Sequence, residues 1–284
     1  MRLAKPGSAL VVATLIAMLL AAAAATMLFA SRASRSVATE GRRMEQARLG
    51  AEALAAKALV FLSEGKHLPL DNQPAPLPDM PEGAQVRLQD VAGLVDLNAA
   101  PPDQIAVLLK ALGSEEATAA TIADRIADWR DEDDLRRTLG AEGSDYAGAG
   151  RPPPGNKPFI TEGELSGVLG LDESAAECLA PYVTVYSGQE TLNRDLSPQG
   201  FPGLDDLKTM HGDVAAFGAP VGHVIIITVQ TPLSSRSRLQ LRQWVRLTGN
   251  ARRPFIIHRA AIDFVRAGAQ APASCPIALR MGAA

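Results

Sequence analysis

The spacing of apolar positions changes character several times along the chain, and each change predicts an element. From Ser8 to Ser31 the chain runs SALVVATLIAMLLAAAAATMLFAS, 24 residues without a charge. As a helix this stretch is about 36 Å long, enough to cross a hydrocarbon core of about 30 Å. It exceeds the apolar run of about 7–15 residues usual in a secretory signal. The alanines from Ala21 to Ala25 nevertheless leave ordinary cleavage and secretion open as an alternative. Beyond Arg32 polar residues enter, but Met44, Leu54, Ala58, Phe61 and Leu62 keep an apolar stripe at helical spacing. One long helix is expected, apolar first and amphipathic second. The Pro-rich stretch HLPLDNQPAPLPDMPEG closes it.

The period then shortens. GAQVRLQDVAGLVDLN alternates around Ala92-Gly93 and predicts strand, turn, strand. From Ala99 helical spacing returns. APPDQIAVLLKALGS has prolines at its start and Gly113 at its end. SEEATAATIADRIADWRDEDD follows, with Ser114 as the expected N-cap and Ile122, Ile126 and Trp129 on one face. A third helical segment, ITEGELSGVLGLDESAAECLAPYVTVYS, ends in a strand-like run. HVIIITVQTP, SRLQLRQWVRLT and RPFIIHRAAIDFVR then read as three antiparallel strands. The fold class is α+β.

Bulk composition excludes more than it selects. A net charge of -3 lacks the basic excess of a dedicated nucleic-acid binder. LNAAPPDQIAVLLKALGS has the layout of a helix-hairpin-helix module, weakly echoed at 192–210, yet its turn reads LGSEE. Two acids stand where a phosphate would approach, so no nucleic acid is expected. A membrane-anchored DNA-binding protein and a generic periplasmic scaffold are the alternative classes. Cys178 and Cys275 match no metal motif and form no disulfide framework; whether they pair is not readable.

No catalytic constellation stands out. His67, His211, His223 and His258 show no HExxH spacing, GRPPPGNK has prolines where a P-loop needs backbone donors, and GELSG misses the nucleophile-elbow register. His223 and His258 flank apolar strands as structural residues, and Trp129 and Trp244 sit where packing is expected. A non-enzymatic protein is the expectation.

The densest charge lies in DWRDEDDLRRTLGAEGSDY, positions 128–146, with seven carboxylates and three arginines. EF-hand spacing fails, because Leu135 and Arg136 occupy positions that need an oxygen and a glycine. Asp131, Asp133, Asp134, Glu142 and Asp145 could still converge through the turns at Gly140 and Gly143. A hard cation could hold them. A solvated helix end, partly neutralised by Arg136 and Arg137, explains the same residues.

The leader MRLAKPG, the uncharged span and its amphipathic extension resemble a type IV pilin-like prepilin. The resemblance implies cleavage by a prepilin peptidase between Gly7 and Ser8, followed by methylation. Two departures are Ser8, where Phe or Met is usual, and Val12, where most such subunits carry Glu. That Glu is thought to pair with the amine of the subunit ahead. An unpaired intramembrane carboxylate is costly, so Val12 suits a subunit with nothing ahead of it.

With QDVAGLVDLNAAPPDQIAVLL, IADRIADWRDEDD, GAEGSDY, FITEGELSGVLGL and LAPYVTVYS in order, the chain resembles the K-type minor pseudopilins of type II secretion. One departure is LNRDLSP, where an Asn-rich strand ending is more usual. The resemblance implies a pilin-like long helix packed on an antiparallel sheet, with a large inserted helical domain. Expected boundaries are 1–7 leader, 8–31 transmembrane half, 32–98 amphipathic half, linker and first strands, 99–190 insert, and 191–284 strand-rich part. It also implies structural calcium in the insert and a place at the periplasmic pseudopilus tip. Partners would be I- and J-type minor pseudopilins, the prepilin peptidase and the inner-membrane secretion platform. The chain would cross the inner membrane once, its N-terminus cytoplasmic and its bulk periplasmic, before extraction into the pseudopilus.

Overall fold

A computed structural model of the chain describes residues 6–210 and 221–268. The chain divides into two compact units, Met1–Leu49 and Gly50–Ala284. Helix α1, Pro6–Ser63, contributes to both. In the first unit its window Leu10–Met27 has a mean hydropathy of 2.4 and leaves its side chains uncovered. An apolar helix of that length and exposure fits a single-pass membrane anchor. His211, Cys275 and most of the leader lie outside the described residues.

In the second unit, α1 buries Ala51, Leu54, Ala55, Ala58, Leu59 and Leu62, the i, i+3, i+4 stripe of a half-buried helix. The main sheet has the order β1-β2-β7-β8-β9, with β1 Asp71–Pro74, β2 Gln85–Asp90, β7 Val224–Pro232, β8 Ser237–Asn250 and β9 Arg253–Arg266. Every pairing in it is antiparallel. The register sets Val86 and Leu88 of β2, Ile225, Ile227 and Val229 of β7, and Leu239, Leu241, Val245 and Leu247 of β8 on one face, all buried. Thr231 shares that face and comes within 4.0 Å of where a Cβ on Gly50 would stand, so α1 lies against it.

Between β2 and β7 the chain leaves the sheet and returns to the neighbouring position, Asp90 pairing with Ile225. This insertion holds β3 Val95–Asp96, α2 Pro102–Ala111, α3 Glu116–Arg130, α4 Gly143–Gly148, α5 Glu173–Leu179, β4 Val183–Thr184, β5 Leu192–Asn193 and β6 Thr209–Met210. One apolar cluster, including Leu97, Ile105, Leu108, Ile122, Ile126, Leu165 and Leu179, knits it together. Buried Asp96 ties the end of β3 to the turn after β4: the carboxylate accepts from Asn98 N at 2.7 Å, Ser187 Oγ at 2.9 Å and Gly188 N at 2.8 Å. Cys178, on α5, is disulfide-bonded.

Four details differ from the sequence reading. Glu115, not Ser114, is the N-cap of α3, and the Glu115 side chain makes no capping hydrogen bond. The third helical segment breaks into a 3-10 turn, Glu162–Gly167, and the short α5, because Gly163 and Gly167 interrupt it. Strand β1 forms inside the Pro-rich linker, with Asn72 taking φ 64. The strand-rich part expected from 191 joins the main sheet only at Val224; β5 and β6 pair with each other instead.

The far face of the sheet meets the insertion through Trp244, which clusters with Val91 and Val224, and Tyr186 packs against this cluster. Arg259 of β9 stacks on the indole at 4.5 Å and donates from Nη1 to Glu162 Oε2 at 3.0 Å. His223 Nδ1 lies 2.8 Å from the buried Asp90 Oδ2 at the root of the insertion. That carboxylate holds the imidazole above its ordinary pKa, against the opposing effect of burial.

Candidate metal centre

The acidic stretch starts where α3 stops. Arg130, its last residue, donates to the carbonyls of Leu97 and Ala100 and pins the helix end beside α2. Trp129 stacks on Phe159 and tilts against Tyr146, with ring centroids 6.0 Å apart in each case. Gly167 packs so near that a Cβ would stand 2.5 Å from Trp129 Cη2. The loop 131–142 therefore leaves from a rigid platform.

Asp128, fully buried on α3, organises the loop. It accepts from Arg137 N at 3.2 Å and Arg137 Nη1 at 2.8 Å. Arg137 also bridges to Asp131, and these two carboxylates hold its guanidinium well above its ordinary pKa. Gly140 passes so close that a Cβ there would lie 1.8 Å from Asp128 Oδ2. Only glycine fits that crossing.

Of the five candidate ligands, Asp131, Asp133 and Asp134 lie near enough to Glu142 to act on its charge. Glu142 is 5% exposed. Its pKa is pushed up to about 7, first by burial and then by Asp128, Asp131, Asp134 and Asp133 in that order. Asp133 Oδ1 accepts from Leu135 N at 2.8 Å, closing the turn after α3. Asp134 Oδ1 accepts from Asn156 Nδ2 at 3.0 Å. Asp145 is diverted: it pairs with Arg136 Nη1 at 3.0 Å and accepts from Glu142 N at 2.9 Å. The sequence reading missed Asp128 and Asn156. A carboxylate between Ala127 and Trp129 on a core helix was a signal for the first; a neutral amide from a Pro-rich loop gave none.

Both oxygens of Glu142, Asp131 Oδ1 and Asn156 Oδ1 are buried and accept no hydrogen bond from the protein. Buried acceptors of this kind are rare, and carboxylates without donors are the costliest. A hard cation that takes oxygen ligands suits this donor set. The side chains do not form a ready cage, since among the described residues no group of three or more His, Cys, Asp or Glu is arranged to hold a metal.

Comparisons with known proteins bear on this region first. Residues 87–188 match the family described as type II secretion system (T2SS), protein K. A type II secretion system protein K from Dickeya chrysanthemi is 36% identical over 78 residues, 28% of this chain and 21% of its own length. The chain thus spans about a fifth of the curated relative it matches. A chain in the crystal structure of the GspK-GspI-GspJ complex from the enterotoxigenic Escherichia coli type 2 secretion system superposes with a TM-score of 0.57. That superposition covers 81% of this chain and 99% of the other at 15% identity, a likeness of fold.

Proposed function

We propose that the chain is a K-type minor pseudopilin of type II secretion, that it caps the tip of the periplasmic pseudopilus, and that it works by assembly, not catalysis. The observation that supports capping most is the insertion itself. A pilin-like sheet opens between two adjacent strands, β2 and β7, to admit a second core of its own. A body so enlarged obstructs a further subunit stacked in the same helical array. Gold label on an epitope in the insertion should decorate one end of isolated filaments; decoration along their length would sink the reading.

The anchor follows the same logic. The apolar helix crosses the inner membrane once, and Arg2 and Lys5 keep its start cytoplasmic. Prepilin peptidase cuts between Gly7 and Ser8, and Val12 spares the tip subunit an unpaired intramembrane carboxylate. Co-expression with the peptidase should yield a mature chain that begins at methylated Ser8 by mass spectrometry. A chain still starting at Met1, or cut near Ala25, would remove the pilin-like mechanism.

The chain whose fold this one shares was solved within a GspK-GspI-GspJ complex. We assign I- and J-type minor pseudopilins and the inner-membrane platform as partners here. The insertion takes a structural calcium ion, with Glu142, Asp131, Asp134 and Asn156 the best placed donors. Asp133 would join by releasing Leu135 N, and Asp145 would stay with Arg136. When bound, calcium supplies the positive charge that the buried oxygens lack.

A further inference from the structure

The buried face of the sheet does not stop where its cover stops. On β9 the residues opposite Leu239, Leu241, Val245 and Leu247 are Phe264, Ile262, Ile257 and Phe255, which must share their face. Their partners on β8 are buried, yet Phe264 is 58%, Ile257 46% and Ile262 42% exposed. The cause is geometric. Five strands spaced about 4.8 Å apart span roughly 19 Å, whereas one helix with side chains covers about 10–12 Å. Helix α1 thus covers the middle of the face and leaves the row on β9 bare. The row is also an edge: β9 is the last strand of the sheet and is 14 residues long. A long apolar edge of this kind is a liability unless something occupies it.

Charge indicates what does. The β8–β9 hairpin, residues 236–266, carries eight arginines against one acid, Asp263. Arg242 and Arg259 are held by Asp263 and Glu162. Arg236, Arg246, Arg252, Arg253 and Arg266 are exposed and make no ion pair among the described residues. Alternation along β9 puts Arg266 and Arg253 on the same face as the apolar row, one at each end. We propose that the β9 row Phe255–Ile257–Ile262–Phe264, bracketed by Arg253 and Arg266, is a docking site for an amphipathic helix of a different subunit. That helix lies beside α1, completes the cover of the sheet and places acids against the two arginines.

This inference rests on the minor-pseudopilin reading for the identity of the partner. At about 3.3 Å per residue the span from Arg253 to Arg266 runs roughly 40 Å, so a helix of about 25 residues would reach both arginines. The apolar stripe supplies affinity, and the terminal arginines fix direction and reject basic helices.

The test uses the full-length chain co-expressed with its cognate I- and J-type subunits, with a photo-cross-linking amino acid at position 262 or 264 and, as control, at exposed Glu173 on α5. The expected product joins position 262 or 264 to a helix of the I- or J-type subunit that has acids flanking its apolar stripe. The control position should give none. R253E/R266E should lower complex yield about tenfold at low salt, and the loss should shrink as salt rises. A complex that forms without cross-links at 262 or 264 overturns this site and leaves the family reading intact. Cross-links to a second copy, or to the chain's own residues 269–284, overturn it in favour of those occupants. Failure of any complex to form overturns both. F264S keeps the arginines and should weaken the complex with an unchanged circular dichroism spectrum; an unchanged complex would also overturn the site.

Discussion

Glu142 sits in a buried pocket of like charge, and that fixes how the insertion responds to acid and base. Its folded pKa, raised to about 7, lies above its ordinary value of 4.5. The folded state therefore binds the proton more tightly than the unfolded chain. Its contribution is fully present below about pH 4.5 and is lost as pH rises through 7. Without a divalent cation the melting temperature should fall between pH 5.5 and 8 by on the order of 5 °C. Calcium should restore it at pH 8, where the carboxylate is ionised and can ligate. His223, raised by Asp90, adds a loss of the same sign, so Glu142→Gln is the control that isolates the loop. It should abolish the calcium effect and flatten the slope without eliminating it; calcium rescue that survives in this variant would refute the assignment. Gly140→Ala tests the same crossing from the backbone side. A Cβ at 1.8 Å from Asp128 must displace that carboxylate from Arg137, at a cost of about 1–3 kcal/mol measurable by urea unfolding. The acids were legible in the sequence as a charge run. Their division of labour was not, because Asp128 acquires its role from burial and Asn156 reaches the loop from more than 20 positions away.

Elements were legible where period and burial agree. β7 and β8 alternate because one face lies on α1 and the other on the insertion, and α2 and α3 show helical stripes because both border one core. β1 escaped notice because its sequence, DNQP, lacks β-formers; it exists only as an edge partner for β2, with its proline at the end. The 3-10 turn at Glu162–Gly167 escaped for another reason. It serves to aim Glu162 at Arg259, a contact 97 positions away that no local pattern encodes. That pair fastens the insertion to β9. Arg259→Ala should leave a buried carboxylate without its cation and remove the guanidinium from Trp244, a loss of about 3 kcal/mol in urea unfolding. Glu162→Gln combined with Arg259→Ala should recover part of that loss, since no charge is then stranded. Strict additivity of the two changes would show that the contact carries no coupling.

Over the whole molecule, charge and connectivity separate two jobs within one chain. Between residues 99 and 190 there are seventeen acids against seven lysines and arginines, while the β8–β9 hairpin is dominated by arginine. The near-neutral total conceals both, which is why net charge alone selected no partner. The α+β class could be read directly, but the nesting of one core inside another could not, since Asp90 and Ile225 become neighbours only once β2 and β7 pair. The nesting also makes the architecture separable. Excising residues 91–223 and joining Asp90 to Val224 through a short turn converts β2 and β7 into a hairpin with their present register. The helix–sheet core of Leu54, Ala58, Leu88, Ile227 and Leu241 contains no residue of the excised segment, so the trimmed chain should fold. Trp244 would lose its cover from Val91 and Tyr186, and its fluorescence should shift to the red. If this subunit caps the filament and bulk is what confines it there, the trimmed chain should enter at internal positions and gold label should spread along the filament. If the label stays at one end, the missing acid at Val12 and the β9 surface define the tip without help from the insertion, and bulk is not the cause.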